Sequence, residues 1–388
     1  MHARFFVRST LALVCAFAWH TAAAQTVKVT PLGTHTGELC DRDRATIFED
    51  PTGVRILYDA GQSVMGGNDP RLGTIHVVLL SHAHTDHIGD RKIAALNMGT
   101  CEKPETVSAL PNTTTAEIAA AKNASLIMIR NMAFFLGRKM ENIRGKPTGT
   151  CAEPGGAIAA VQAAPCLAPV ELGGTKVVKA AGAASGVEIT TVHAAHDSTI
   201  TREMLTDAQR KALEADNISV SLGAPSGYVV KFTNGLRVYL SGDTGLHTEM
   251  KTVVRDYHRV NLTVMNFGPN AITSDAAAYA MNDLVQPAAI IVSHPNEGVT
   301  SDGKLKAGTR TSDFINRIKG KPVYLAISGR TMEFDKKGMK SRSDSNSRRL
   351  LASVAAEWRG WSSLRSITRA KSVDDRARSA RLPAMSMK

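Results

Sequence analysis

Ser81-His82-Ala83-His84-Thr85-Asp86-His87-Ile88-Gly89-Asp90 follows directly on the apolar run Ile75-His76-Val77-Val78-Leu79-Leu80. Three histidines and two carboxylates stand in those ten residues. The apolar run reads as a buried strand, and the cluster as the loop into which it empties. Neutral imidazole is the usual ligand of borderline metals, and carboxylates complete such sites. A strand that stops and turns can aim His82 and His84 at one ion, and Asp86 and His87 at a second. The plainer alternative is a polar loop that happens to be rich in histidine. A dinuclear metal site accounts better for so many ligating types after a buried strand.

Working outward, further strands end in, or run into, a ligating residue. Val187-Glu188-Ile189-Thr190-Thr191-Val192 leads to His193-Ala194-Ala195-His196-Asp197. Tyr228–Thr233 and Leu236–Leu240 form a hairpin joined at Asn234-Gly235 and lead to Ser241-Gly242-Asp243-Thr244-Gly245. Ala288–Val292 leads to Ser293-His294. A lone strand-end histidine is more often a satisfied polar group, and S-G-D-T-G alone reads as a turn. Their order behind H-x-H-x-D-H makes both more than that, because ligands delivered from strand ends converge at one edge of a layered fold. Other elements expected are strands at Val27–Leu32, Ala45–Glu49, Val54–Tyr58, Val260–Phe267 and Val323–Ile327. Helices are expected from about Arg91, over Thr115–Asn123 and Leu126–Met140, after an N-cap at Thr206, from Ser274 to Val285 and near Thr311–Lys319.

This ordered set resembles the metallo-β-lactamase superfamily, most of all its L-ascorbate-6-phosphate-lactonase-like branch. The likeness rests on Ser81–Asp90, Val192-His193-Ala194-Ala195-His196, Ala224-Pro225-Ser226-Gly227-Tyr228, Ser241–Leu246, Phe267-Gly268-Pro269-Asn270 and Ser293-His294. It implies an α+β fold, a four-layer αββα sandwich. It also implies that His82, His84 and His196 hold one metal, that Asp86, His87 and His294 hold the other, and that Asp243 bridges. His193 also stands at the strand end. The resemblance favours His196, since Val192-x-Ala194-x-His196 followed by Ser198 matches the branch's local pattern. Asn266 and His294-Pro295-Asn296-Glu297 depart from that pattern, which touches the substrate rather than the metals.

The expected chemistry is hydrolysis by a metal-bound hydroxide. Two divalent ions a few Å apart lower the pKa of a shared water from about 15.7 towards neutrality. Asp86 and Asp243 offset the metals' charge, and either can take the proton. Ser81, Asp90 and Asp197 are candidates to orient the imidazoles. The all-N/O ligand set suits zinc best, with manganese and iron also compatible. The bond attacked is expected to be a lactone, an ester-like bond or a phosphoester in a small molecule. A phosphodiesterase or nuclease, and a non-catalytic metal-binding module, are the alternatives. No nucleophile elbow, Walker loop or dinucleotide fingerprint competes.

The chain has 388 residues and a formal charge of +12. Arg4 and Arg8, the apolar run Leu11–Trp19 and the small residues Ala22-Ala23-Ala24 read as a signal peptide over 1–24, with a periplasmic or secreted mature chain from Gln25 and no stable membrane anchor. Cys40, Cys101, Cys151 and Cys166 then remain, an even number suited to an oxidising compartment, with no C-x-x-C spacing for a metal. One or two disulfides are expected, Cys151–Cys166 among them. Residues 25–340 are read as the hydrolase domain, with a proline-broken insertion or lid over 102–185. From Lys340 onward, twelve Lys/Arg against four Asp/Glu carry +8 of the total charge, so 341–388 reads as a basic, disordered tail. Basic residues without interleaved aromatics give no reason to expect nucleic acid.

Overall fold

Val77 and Leu79 face one core while Val78 and Leu80 face another, as the two-residue period of a strand buried on both sides requires. The computed structural model describes residues 25–341, and the readings for 1–24 and 342–388 fall outside them. Two sheets make up the frame. The first has seven strands in the order Met332–Phe334, Val27–Leu32, Ala45–Glu49, Arg55–Tyr58, Val77–Leu79, Ser125–Ile129, Cys166–Val170. The second has eight, in the order Val323–Leu325, Ala289–Ser293, Leu262–Asn266, Arg237–Leu240, Ser226–Lys231, Val187–His193, Thr175–Lys179, Ile158–Ala159.

Three apolar layers separate four structural ones. Phe48, Ile56, Val77 and Leu79 from the first sheet meet Val230, Val238, Val264 and Ile291 from the second. Helices Thr114–Lys122 and Arg130–Arg144 cover the far side of the first sheet, where Ile118, Met132 and Leu136 join Leu57, Val78 and Leu126. The helical segments Met250–Tyr257, Ser274–Val285 and Arg310–Arg317 cover the second, where Val254, Met281 and Phe314 join Tyr239, Met265 and Ile290. This is the αββα sandwich. Each fully buried Val, Leu, Ile or Phe contributes about 1.5–3 kcal/mol by leaving water.

Several elements differ from the sequence reading. Leu126–Met140 was expected to be one helix, but Ser125–Ile129 is a strand paired in parallel with both neighbours, and the helix starts at Arg130. A continuous apolar run such as Ser-Leu-Ile-Met-Ile carries no period, so burial between two strands decides it. Residues 102–185 therefore supply two strands to each sheet and the two helices that cover the first, besides loops. No helix starts at Arg91: a four-residue helix, Thr85–Ile88, stops at Gly89, and Arg91–Lys92 pairs with Val107–Ser108. Gly89 has φ of 81°, and a Cβ there would meet the Thr114 hydroxyl and the Gly61 carbonyl. Thr206 caps its helix with a capping box as expected, whereas Thr273 rather than Ser274 caps the next. Met332–Phe334, missed in the sequence, pairs with Val27–Val29 and closes the first sheet's edge.

Two buried tyrosines tie the sheets together at the end where the ligating loops emerge. Tyr228 donates to the Leu80 carbonyl at 2.7 Å, and Tyr58 accepts from the Gly242 amide at 3.0 Å. The rings meet edge to face at 6.4 Å. Tyr58→Phe would leave the buried Gly242 N–H without its acceptor, which costs about 1–3 kcal/mol. The urea midpoint should fall with an unchanged slope. An unaltered midpoint would show that this hydrogen bond does not hold the Asp243 loop.

Candidate metal centre

The ligating residues come from segments that follow one strand of the first sheet and three alternate strands of the second. Val77–Leu79 delivers His82 and His84, and Asp86 and His87 follow on the short helix. Val187–His193 delivers His196, Arg237–Leu240 delivers Asp243, and Ala289–Ser293 delivers His294. His294 leaves its strand with φ of 54°, an uncommon conformation for a non-glycine residue. Its ring lies against Gly268, where a Cβ would come within 3.0 Å of it.

All seven of these side chains come together. One ligand atom each from His82, His84 and His196 lie within 4.8 Å of one another, as do those of Asp86, His87 and His294. His82, His87 and Asp243 form a third such group between them. His82 Nε2 is 3.0 Å from His84 Nδ1, which is 3.3 Å from His196 Nε2. His87 Nε2 is 2.9 Å from His294 Nε2. Asp243 reaches both sides: its Oδ1 is 3.4 Å from His87, and its Oδ2 is 3.4 Å from His294 and 3.9 Å from His196. His82, His87, His294 and Asp243 are buried and form a floor, while His84, Asp86 and His196 keep partial exposure and form the open rim.

The surrounding groups settle which nitrogens face inward. Asp59 takes His87 Nδ1 at 2.8 Å, the Ser81 amide at 2.8 Å and the Ser81 hydroxyl at 2.8 Å. Asp197 takes His84 Nε2 at 3.0 Å. In the neutral tautomers those outer nitrogens carry the protons, so the lone pairs of His87 Nε2 and His84 Nδ1 point into the cluster. Convergent imidazole lone pairs beside two carboxylates are a donor set for divalent cations. His294 differs, its Nδ1 being buried without a hydrogen-bond partner among the described residues.

The electrostatics agree. Burial works against charge on His87, yet Asp243, Asp59 and Asp86 outweigh it and push the imidazole up to about 10. Burial also works against charge on Asp243, yet His294 and His87 hold it well below the usual carboxylate range. Burial and the neighbouring His87 hold His82 well below its ordinary value. The carboxylates that favour positive charge on His87 favour a cation at the same place.

His193 is not in the cluster. It ends its strand opposite Ser226, and its ring packs on His247 at 5.0 Å. Of the proposed orienting groups, Ser81 and Asp197 make the contacts above, whereas Asp90 accepts from Gln62. Two residues escaped the sequence reading. Asp59 follows the buried strand Arg55–Tyr58, as His294 follows its own, so the same strand-end rule applied to Asp59-Ala60-Gly61 would have found it. Arg44, which bonds Asp86, carries no such signal. The cysteines pair as Cys40–Cys101 and Cys151–Cys166, the second as expected.

No family model matches the chain. It is 29% identical over 153 residues to a UPF0173 metal-dependent hydrolase of Polynucleobacter asymbioticus, covering 38% of this chain and 48% of that one. A UPF0173 metal-dependent hydrolase of Staphylococcus carnosus is 25% identical over 250 residues, 63% of this chain and 79% of its own. The chain thus spans about half the length of the first relative and about four fifths of the second. The solved metallo hydrolase Igni18 from Ignicoccus hospitalis aligns with a TM-score of 0.48 and 18% identity, over 80% of this chain and 99% of that one. The αββα frame and the His/Asp cluster agree with the resemblance to the metallo-β-lactamase superfamily read in the sequence, and the relatives that the chain is similar to are described as metal-dependent hydrolases.

Proposed function

We propose that the chain is a metal-dependent hydrolase that works with two divalent ions, zinc for preference, on a lactone, an ester-like bond or a phosphoester of a small molecule. The observation that carries the reading is the pair of three-residue groups, His82–His84–His196 and Asp86–His87–His294, joined through His82, His87 and Asp243. One group alone would serve a single ion; two groups sharing a carboxylate between them suit two. Ions held there would supply Lewis-acid chemistry, lowering the pKa of a bound water towards about 7 and polarising the oxygen of the bond under attack.

The chain's own residues do the rest. Asp59 and Asp197 hold the rings of His87 and His84 at fixed angles. Asn266 donates to Asp243 Oδ1 at 3.2 Å and keeps that carboxylate turned into the cluster. The exposed rim of His84, Asp86 and His196 is the side from which a substrate reaches the floor. Asp86 and Asp243 are the carboxylates placed to receive the proton released from water. Two disulfides support an oxidising compartment, and hence an exported protein. Among the described residues no helix is long and apolar enough to cross a membrane.

The test is turnover of a generic lactone and of bis-(p-nitrophenyl) phosphate by the zinc-loaded chain. Hydrolysis of at least one is expected, with loss of roughly 10³-fold or more in His84→Ala, equivalent to about 4 kcal/mol of barrier. Equal turnover by wild type and His84→Ala would remove the cluster from the reaction.

A further inference from the structure

Arg44 is buried beside the cluster, its side chain only 2% exposed. Its Nε and Nη2 donate at 3.0 and 2.6 Å to one and the same oxygen, Asp86 Oδ2. Nη2 also donates to Asn296, and Nη1 to the Asp41 carbonyl at 3.2 Å. The Asp41 amide in turn donates to Cys101, the disulfide partner of Cys40, so the loop that carries the guanidinium is anchored. Buried and held on every side, Arg44 does not reach a substrate at the rim. Its partner is the metal position.

The oxygen it holds is the one that matters. Asp86 Oδ2 is the atom 3.3 Å from His294 Nε2 and 3.8 Å from His87 Nε2, so it faces the two imidazoles of its group. A carboxylate behind an imidazole makes that ring a better donor, as Asp59 does for His87. A guanidinium on a ligating oxygen does the reverse. It draws charge from the donor atom and places a fixed positive charge a few Å from any arriving cation, inside a pocket where screening is weak. No cation stands in that relation to His82, His84 or His196 among the contacts of the described residues.

We infer that Arg44 is a positioning residue that holds down the metal affinity of the Asp86–His87–His294 position. The inference rests on the dinuclear reading above. Arg44 fixes the Asp86 carboxylate in place and at the same time weakens it as a ligand, so a cation bound there exchanges more readily than the ligand set alone would allow.

Zinc titration of the chelator-stripped full chain, by calorimetry or against a chromophoric chelator, tests this in wild type, Arg44→Gln, Arg44→Met and Arg44→Lys. Both neutral variants are expected to bind the weaker equivalent roughly tenfold or more tighter. Arg44→Lys, which keeps the charge, should stay within about threefold of wild type. Melting curves show which variants are folded, and Arg44→Gln, which retains a donor towards Asp86, serves if Arg44→Met is not. Unchanged or weaker binding in the folded neutral variants overturns the inference, as does tightening in Arg44→Lys equal to that in Arg44→Gln. Should wild type take up fewer than two equivalents, the dinuclear reading falls and this one with it. Two equivalents in wild type, with no response to Arg44→Gln, remove only the role of Arg44.

Discussion

Asp243→Asn is expected to abolish nearly all turnover, by roughly 10³-fold or more, and to bind fewer metal equivalents than wild type. The change is nearly isosteric, so the size of the effect comes from charge. Asp243 is buried, and its two oxygens stand 3.4 Å from His87, 3.4 Å from His294 and 3.9 Å from His196. Among the described residues, Asp243 is the carboxylate grouped with both His82 and His87, one from each three-residue group. An amide offers one weaker acceptor and turns its NH₂ towards imidazole nitrogens that should present lone pairs. Asn266, which donates to Oδ1, would then face either a second donor or a neutral oxygen. Steady-state kinetics with metal analysis of the same sample reads the result. Near-normal rates with two equivalents retained would mean that the two positions do not share Asp243.

His196→Ala should lose most of one metal equivalent and nearly all turnover, while His193→Ala keeps both equivalents. The two histidines are three residues apart, and composition does not separate them. The fold does. The strand runs on to His193, which is registered against Ser226 and packs on His247. Only after the chain has left the strand does His196 place its Nε2 3.3 Å from His84 and 3.9 Å from Asp243. Removing His196 takes away one of three imidazoles in its group, and an alanine leaves nothing to replace it. Removing His193 unpairs His247, whose buried ring nitrogens already lack hydrogen-bond partners among the described residues. That change should show in stability rather than in metal content. Metal loss in His193→Ala with retention in His196→Ala would reverse the assignment.

The ligating residues were legible because each is announced twice, by its type and by the buried strand ahead of it. His82, Asp243 and His294 all follow runs of apolar β-formers, and turn residues mark where those runs stop. The support around them was less legible. Asp59 obeys the same strand-end rule but stands in Asp-Ala-Gly, which reads equally well as a hairpin closing. Arg44 meets Asp86 across 42 residues of chain, and the sequence offers no local pattern for such a pairing. The sequence reads Leu126–Met140 as one helix because the apolar run at its start, buried on both faces, has no period to read. That error hid the place of residues 102–185 in the first sheet, since the proline-rich loops on either side dominate their texture. Thr206 shows the opposite case, a cap whose side-chain chemistry is entirely local and was therefore readable.

The central claim is that seven side chains from the segments after four strands hold two metal ions, and metal content tests it most directly. Full-length chain purified without chelator, or stripped and reloaded with zinc or manganese, should contain close to two equivalents by elemental analysis, with a reduced ratio in Asp243→Asn and close to one in His196→Ala. A ratio near zero after reloading, or a wild-type ratio that neither substitution changes, would contradict the account.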